Sequence, residues 1–353
     1  MNVFRSLWLL AACSVLSACA SLPNGASQAP ATVADYNQAI VHSKDEQLLL
    51  NLVRLRYRDS TQFLQATGVT DSHAYGASAG TSTYFPFRDA LSELGITALG
   101  NYSRRPVVTM APMNEADFAT ALLSPLSAAD LGLLAGSGWS IERILLCCVE
   151  RIGNLSNSSR VSGPTPDVLP DNSAFRQFAK QVRELQRSEE MSLVLDGSRA
   201  SFLFYGDGLD DGEAIASRFG AKLADGILHL RPVTSPHENG IAIQTRSILG
   251  SMYALSHNVG VPDEHVTAGL VTSATAEAEA TPDWGTYSED IFRIRSGREA
   301  PLGAFVAVPY RDHWFWIDDA DLNSKTTFSL LNYLINLRSV SGGAAPLLTV
   351  GVD

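Results

Sequence analysis

The chain has 353 residues, of which 45% are hydrophobic and 18% are charged, and 26 Lys and Arg against 37 Asp and Glu give a formal net charge of −11. This composition is typical of a folded protein, predicts two folded units or one large one, and excludes a wholly disordered chain. The acidic balance excludes a protein that binds nucleic acid through the phosphate backbone. The longest apolar stretch is N-terminal, and no series of apolar stretches follows it, which excludes a protein with several membrane spans.

The first residues carry the most specific pattern in the sequence. Arg5 precedes an apolar run over 7–16, which has the length of a signal-peptide core and is too short to span a bilayer. The run ends in Leu16-Ser17-Ala18-Cys19, which resembles the lipobox of bacterial lipoproteins. The resemblance implies cleavage between Ala18 and Cys19 and acylation of the Cys19 thiol. An ordinary secretory signal with a chance cysteine is the alternative.

A lipidated Cys19 predicts a membrane anchor followed by a tether. Several acyl chains on one cysteine hold a protein durably, whereas one chain binds only marginally. By resemblance to lipoprotein sorting, Ala20 in place of an Asp implies the outer membrane; the leaflet stays open. Residues 20–34 are rich in Ala, Ser, Pro and Gly and could extend roughly 50 Å at about 3.3 Å per residue. We therefore expect a lipoprotein signal peptide over 1–18 and a lipidated flexible tether over 19–34.

The first half of the body mixes helical and strand patterns. Hydrophobic periodicity and capping residues predict these elements: a helix over 35–57, strands over 61–85 and 95–110, a helix from 115 capped by Asn114, and helices near 127–135 and 139–152, the last capped by Ser140. A long polar stretch rich in Ser, Asn, Pro and Gly over 153–172 is the strongest internal break.

The second half continues the mixture. The pattern predicts a helix over 173–189, a hairpin over 191–205, a helix over 211–219, a strand over 226–231, a helix over 245–258, an acidic loop over 272–289, strands over 291–296, 304–310 and 313–317, a helix over 324–339 and a strand over 347–350. Without a regular βαβ repeat, this order predicts an α+β fold with a mostly antiparallel sheet and packed helices. We expect a mixed region over 35–155 and an α+β region over 173–353, either separate or joined in one compact unit.

Three segments of this body, 46–57, 245–250 and 310–331, resemble segments of a group of uncharacterised bacterial envelope lipoproteins. The resemblance covers most of the mature chain. It implies a location in the cell envelope and a single whole-chain unit. It implies no activity, cofactor or catalytic residue.

One motif points to hydrolytic chemistry. Gly76-Ala77-Ser78-Ala79-Gly80 matches the Gly-x-Ser-x-Gly pattern of a nucleophile elbow, which lies between a buried strand and a helix. Polar residues precede this motif and no helical period follows it, which favours a hairpin or edge strand of small residues. A tethered periplasmic serine hydrolase using Ser78 is the alternative.

Metal chemistry has no obvious nucleus in the sequence. Four residues with oxygen ligands resemble the start of a calcium loop: Asp318, Asp319, Asp321 and Asn323. The loop is incomplete, because Ser324 stands where it needs a Gly and Leu330 where it needs a bidentate Glu. This pattern favours a strand-to-helix turn. The adjacent Cys147 and Cys148 lie in an apolar run and favour buried core residues, and the seven histidines are scattered. We expect neither a metal nor a cofactor.

An aromatic segment near the C-terminus is the remaining feature with a candidate function. Strand alternation places Trp314 and Trp316 on one sheet face and His313 and Phe315 on the other. Together with Tyr310, the residues His313, Trp314 and Trp316 form a candidate contact surface, because aromatic residues are enriched at binding hot spots. Coverage of both faces by helices is the alternative.

These observations favour a non-enzymatic lipoprotein of the outer membrane. We expect it to act as an interaction or assembly component that docks another envelope protein, with the membrane as a second partner through Cys19. The serine hydrolase is one alternative. A lipoprotein that binds small envelope molecules is the other, and it predicts a large apolar pocket.

Overall fold

The computed structural model describes residues 33–83, 94–113, 116–157, 171–196, 199–271, 290–339 and 347–348. The predicted signal peptide, Cys19, most of the tether and the acidic loop over 272–289 lie outside these residues. Within the described part of the chain, no helix has both the length and the apolar character needed to cross a membrane.

Helices occur along the whole described chain. They are α1 (Val33–Arg56), α2 (Ala116–Leu123), α3 (Ala128–Gly136), α4 (Ile141–Cys148), α5 (Ser173–Arg187), α6 (Gly208–Arg218), α7 (Ile248–Ser256), α8 (Asp263–Thr267) and α9 (Leu322–Ser339). Capping side chains determine where several of these helices begin. The Ser140 hydroxyl accepts a hydrogen bond from the Arg143 amide at the start of α4, as predicted, and Ser247 caps α7 in the same way.

Strands alternate with these helices. They are β1 (Leu64–Thr83), β2 (Leu94–Pro112), β3 (Val149–Ile152), β4 (Leu155–Ser156), β5 (Met191–Asp196), β6 (Arg199–Phe204), β7 (Ile227–Pro232), β8 (Ile241–Thr245), β9 (Arg295–Gly297), β10 (Ala304–Tyr310), β11 (His313–Asp318) and β12 (Leu347–Leu348). They form sheets in the orders β12-β1-β2, β10-β11-β9 and β4-β3-β8-β7-β6-β5. The β1–β12 and β7–β8 pairs are parallel, and most other pairs are antiparallel. The predicted α+β class is confirmed.

The chain divides into two compact units. The first comprises residues 1–41, 68–109 and 347–353, and it contains most of β1 and β2 together with β12. The second comprises residues 42–67 and 110–346 and contains the other two sheets and most of the helices. The segments on either side of the predicted break at 153–172 belong to the same second unit.

The core of the second unit lies between the six-stranded sheet and the helices packed on it. Helix α5 packs into this core through one apolar face. The residues of that face recur at helical spacing and all are buried: Phe175, Phe178, Ala179, Val182 and Leu185. Strand β6 contributes Phe202 and Phe204, which have no more than 1% of their surface exposed. The buried residues of α1, α4, α9 and β11 join the same apolar cluster.

The structure corrects two predicted helix boundaries. The predicted helix over 139–152 ends at Cys148, and the chain continues as strand β3, which pairs with β8. The predicted helix over 245–258 begins only at Ile248, because the chain up to Thr245 is strand β8. Both segments are too short for a periodic pattern to distinguish helix from strand, and the pairing of β3 with β8 decides the outcome.

The C-terminal end of α4 is satisfied from within the core. The guanidinium of Arg246, 1% exposed, donates to the carbonyls of Leu146 (3.0 Å) and Cys147 (3.1 Å) and to that of Asn157. The Asn157 amide donates to the carbonyls of residues 145, 146 and 149. A cation and an amide thus bind the last carbonyls of the helix, where the helix dipole is negative.

Two thiols occupy the same end of α4. Cys147 and Cys148 are both free and both fully buried. The prediction that they are core residues is confirmed. Their environments differ, because the hydrogen bond between the two thiols lowers the pKa of Cys147 and raises that of Cys148.

Candidate functional site

The Gly76–Gly80 motif lies inside a continuous strand. β1 runs from Leu64 to Thr83 without the strand-to-helix turn that a nucleophile elbow requires. The expectation of a strand at this motif is therefore confirmed for the backbone, whereas the Ser78 side chain lies outside the described part of the structure.

The acidic residues before α9 serve the turn and the helix start. Asp321 accepts hydrogen bonds from the amide (3.0 Å) and the hydroxyl (2.6 Å) of Ser324, and Asp319 pairs with Lys325 at 2.6 Å. Asp318 pairs with Arg295 across the sheet at 3.0 Å. The interpretation as a strand-to-helix turn is confirmed, because the carboxylates bind the chain itself.

Strand β11 shows the alternation predicted for the aromatic segment. His313, Phe315 and Ile317 are buried, whereas Trp314 and Trp316 on the other face are half-buried. Gly297 of β9 lies under the Trp316 ring, where an added Cβ would come within 3.2 Å of it. Of the candidate contact residues, His313 is only 6% exposed, so it does not belong to an accessible surface.

The buried His313 instead meets a second histidine from a distant part of the chain. The rings of His265 and His313 have their centroids 4.8 Å apart, and Nε2 of His313 lies 2.8 Å from Oε1 of Glu264. One possible ligand atom from each of these three residues lies within 4.8 Å of the other two. We call Glu264, His265 and His313 the histidine cluster.

Two elements of regular structure bring the histidine cluster together. Pro262 precedes the single-turn helix α8, which presents Glu264 and His265. His313 begins β11, directly after a two-residue turn in which Arg311 and Asp312 have φ of 48° and 62°. Positive φ at both central residues is typical of the tight type I′ hairpin turn, which fixes where β11 begins.

A buried tyrosine supports one side of the cluster. The Tyr57 hydroxyl lies 2.7 Å from Nδ1 of His265, although the two residues are 208 positions apart. Burial raises the pKa of Tyr57 to about 12, so its phenol is protonated at neutral pH. Burial, and next the charge of His313, lower the pKa of His265, which favours a neutral imidazole.

Ion pairs surround the cluster. Arg298 donates to Oε2 of Glu264 at 2.6 Å, and Arg311 pairs with Asp59 at 2.9 Å while its guanidinium lies over the Tyr57 ring. Burial raises the pKa of Asp59, but hydrogen bonds from the Tyr310 hydroxyl and Arg311 outweigh it and hold this pKa below the ordinary value. The cluster therefore combines two imidazoles and a carboxylate with fixed hydrogen-bond partners.

The sequence analysis did not identify His265 or Glu264 as site residues. Neither belongs to a motif with metal-ligand spacing, and they reach His313 only because α8 contacts the start of β11 in the folded chain. Strand alternation grouped His313 with Phe315 on one face, but it did not indicate that this face is the buried one.

Comparison of the chain with protein-family models, curated proteins and solved structures finds no match.

Proposed function

We propose that the protein is a lipid-anchored component of the bacterial outer membrane that acts by binding another envelope protein. The observation that carries the anchor is the sequence Leu16-Ser17-Ala18-Cys19 directly after an apolar run of signal-peptide length. Ala20 favours the outer membrane, and the tether that follows leaves the folded body free to reach a partner.

Exposed apolar side chains on the second unit support a binding role. Helices α2 and α9 contact each other, and they carry Leu123 at 63% exposure and Tyr333 at 62%. Trp139 packs edge-on against Tyr333, with ring centroids 5.9 Å apart. We call Leu123, Trp139 and Tyr333 the helical patch. Tyr333 is exposed and Trp139 is half-buried beside it, and tyrosine and tryptophan are enriched at binding hot spots.

The anchor is tested by intact-mass spectrometry and membrane fractionation of the full chain. We expect a mature protein that begins at Cys19 with acyl chains on its thiol and amine. Cys19→Ala is expected to remain unprocessed. Cys13→Ala is the matched control, because this cysteine lies within the leader and its loss leaves processing unchanged. An unmodified Cys19 with the leader still attached would contradict the proposal.

The binding role is tested by cross-linking the lipidated protein in intact cells and isolating the products. We expect one envelope protein to be recovered reproducibly and to be lost when Tyr333→Glu places a charge in the helical patch. Leu302→Glu is the control, because Leu302 is fully exposed and lies in a different part of the chain. Failure to recover an envelope partner, or recovery that is the same in both variants, would count against docking through this patch.

A further inference from the structure

We propose that Glu264, His265 and His313 form a binding site for a divalent transition-metal cation of the zinc type. The proposal goes beyond the docking function and does not depend on it. Its basis is the convergence of three ligand-type side chains, two of them buried histidines, with ligand atoms within 4.8 Å of one another.

The donor set indicates which cation the site would take. Two imidazole nitrogens and one carboxylate oxygen suit Zn²⁺ and its neighbours, whereas Ca²⁺ and Mg²⁺ prefer oxygen ligands alone. Tetrahedral zinc with bonds of about 2.0–2.2 Å holds its ligand atoms roughly 3.4 Å apart. Nε2 of His313 and Oε1 of Glu264 lie 2.8 Å apart, so metal binding requires a small outward shift of the Glu264 side chain, which is 46% exposed.

The hydrogen bonds to Tyr57 and to the Arg311 carbonyl involve Nδ1 of the two imidazoles, which makes Nε2 of each ring the candidate metal ligand. Nδ1 of His265 is engaged by the Tyr57 hydroxyl at 2.7 Å, and Nδ1 of His313 lies 3.2 Å from the Arg311 carbonyl oxygen. In the tautomers whose Nδ1–H groups donate to these two oxygens, each imidazole keeps an unprotonated Nε2 as a ligand atom. In metal-binding histidines, the ring nitrogen that does not bind the metal characteristically donates a hydrogen bond, which fixes the orientation of the ring and its tautomer.

The charges nearby are compatible with a bound cation. Arg311 is paired with Asp59, and Arg298 occupies Oε2 of Glu264 while leaving Oε1 directed at His313. Burial and the charges of His313 and Arg311 lower the pKa of His265, whereas the Glu264 and Asp312 carboxylates act in the opposite direction. Three protein ligands leave one position of a tetrahedral ion for water or another small ligand.

The proposal is tested by titrating the full chain with zinc. The lipidated protein, purified in detergent without a histidine tag and treated with EDTA, is titrated with ZnCl₂ by isothermal calorimetry. We expect one equivalent to bind. His265→Gln and His313→Gln should each weaken binding about 100-fold or more, and Tyr57→Phe, which removes a supporting hydroxyl, about 10–100-fold. His237→Gln is the matched control, because His237 is exposed and distant in sequence from the site.

Thermal unfolding distinguishes loss of the site from loss of the fold. Zinc should raise the unfolding temperature of the wild-type chain and of His237→Gln, and should leave that of His313→Gln unchanged. If a histidine variant fails to fold, Glu264→Gln decides, because this side chain is half-exposed and its replacement leaves the core intact. Absence of stoichiometric binding, binding unaffected by Glu264→Gln, or equal affinity for Ca²⁺ would overturn the proposal.

Discussion

Replacement of Arg246 by Met tests how the end of α4 is stabilised. The buried guanidinium donates to the carbonyls of Leu146, Cys147 and Asn157. Met has a similar length and no donor, so those carbonyls lose this partner while staying buried. The Leu146 carbonyl still accepts a hydrogen bond from the Asn157 side-chain amide at 3.0 Å, so the cost in stability is counted for the carbonyls of Cys147 and Asn157.

The expected cost follows from those two carbonyls. A buried acceptor left without its partner costs about 1–3 kcal/mol, so the pair costs about 2–6 kcal/mol. Removing a buried charge returns part of this, which places the expected loss at roughly 1–4 kcal/mol. In a unit of this size, each kcal/mol lowers the unfolding temperature by about 2–4 °C.

The loss is measured by thermal and urea unfolding of the full chain in detergent, followed by circular dichroism. Arg187→Met is the matched control, because Arg187 is 65% exposed and its ion pair with Glu184 should contribute less than about 1 kcal/mol. Arg246→Lys should lie between the wild type and Arg246→Met, because one ammonium cannot reach every carbonyl. If the Arg246→Met chain is as stable as the control, the guanidinium does not stabilise the end of α4.

Two further substitutions test other buried or capping carboxylates. Burial raises the pKa of Asp45, which accepts a hydrogen bond from Asn332 at 2.8 Å. The stability that this carboxyl contributes is present below its unfolded pKa, near 3.8, and is lost as the pH rises through its folded pKa. Asp45→Asn should therefore unfold at a higher temperature than wild type at pH 7, with a difference that shrinks towards pH 4; a constant difference would contradict this cause. Asp321→Ala removes the cap of α9 and should destabilise the chain by about 0.5–2 kcal/mol in urea unfolding, whereas Asp319→Ala, which removes only a surface ion pair, should cost less.

Local patterns determine much of this fold and little of its candidate site. The helices α1 and α5 and the hairpin of β5 and β6 follow from periodicity and turn residues, because each is long enough for one period to prevail. Strands β3 and β8 are short, and their pairing with each other decides between helix and strand. Tertiary structure therefore overrides local propensity where segments are shortest.

The histidine cluster shows the same limit more strongly. His265 lies in a helix of one turn, and its hydrogen-bond partner Tyr57 lies 208 positions away. No spacing rule connects residues that approach only after the hairpin and the helix have packed. Strand alternation predicted that His313 and Phe315 share a face, but neither the burial of that face nor the neighbours of His313 could be predicted from it.

The two adjacent thiols of α4 have a consequence for how the protein would mature. In the folded chain neither sulfur has accessible surface, so oxidants of an extracytoplasmic compartment cannot reach them. If the chain is exported before it folds, both thiols meet the oxidising conditions of the extracytoplasmic compartment. Rapid closure of the core around α4 would then protect the pair, and slow folding would divert chains into mixed disulfides.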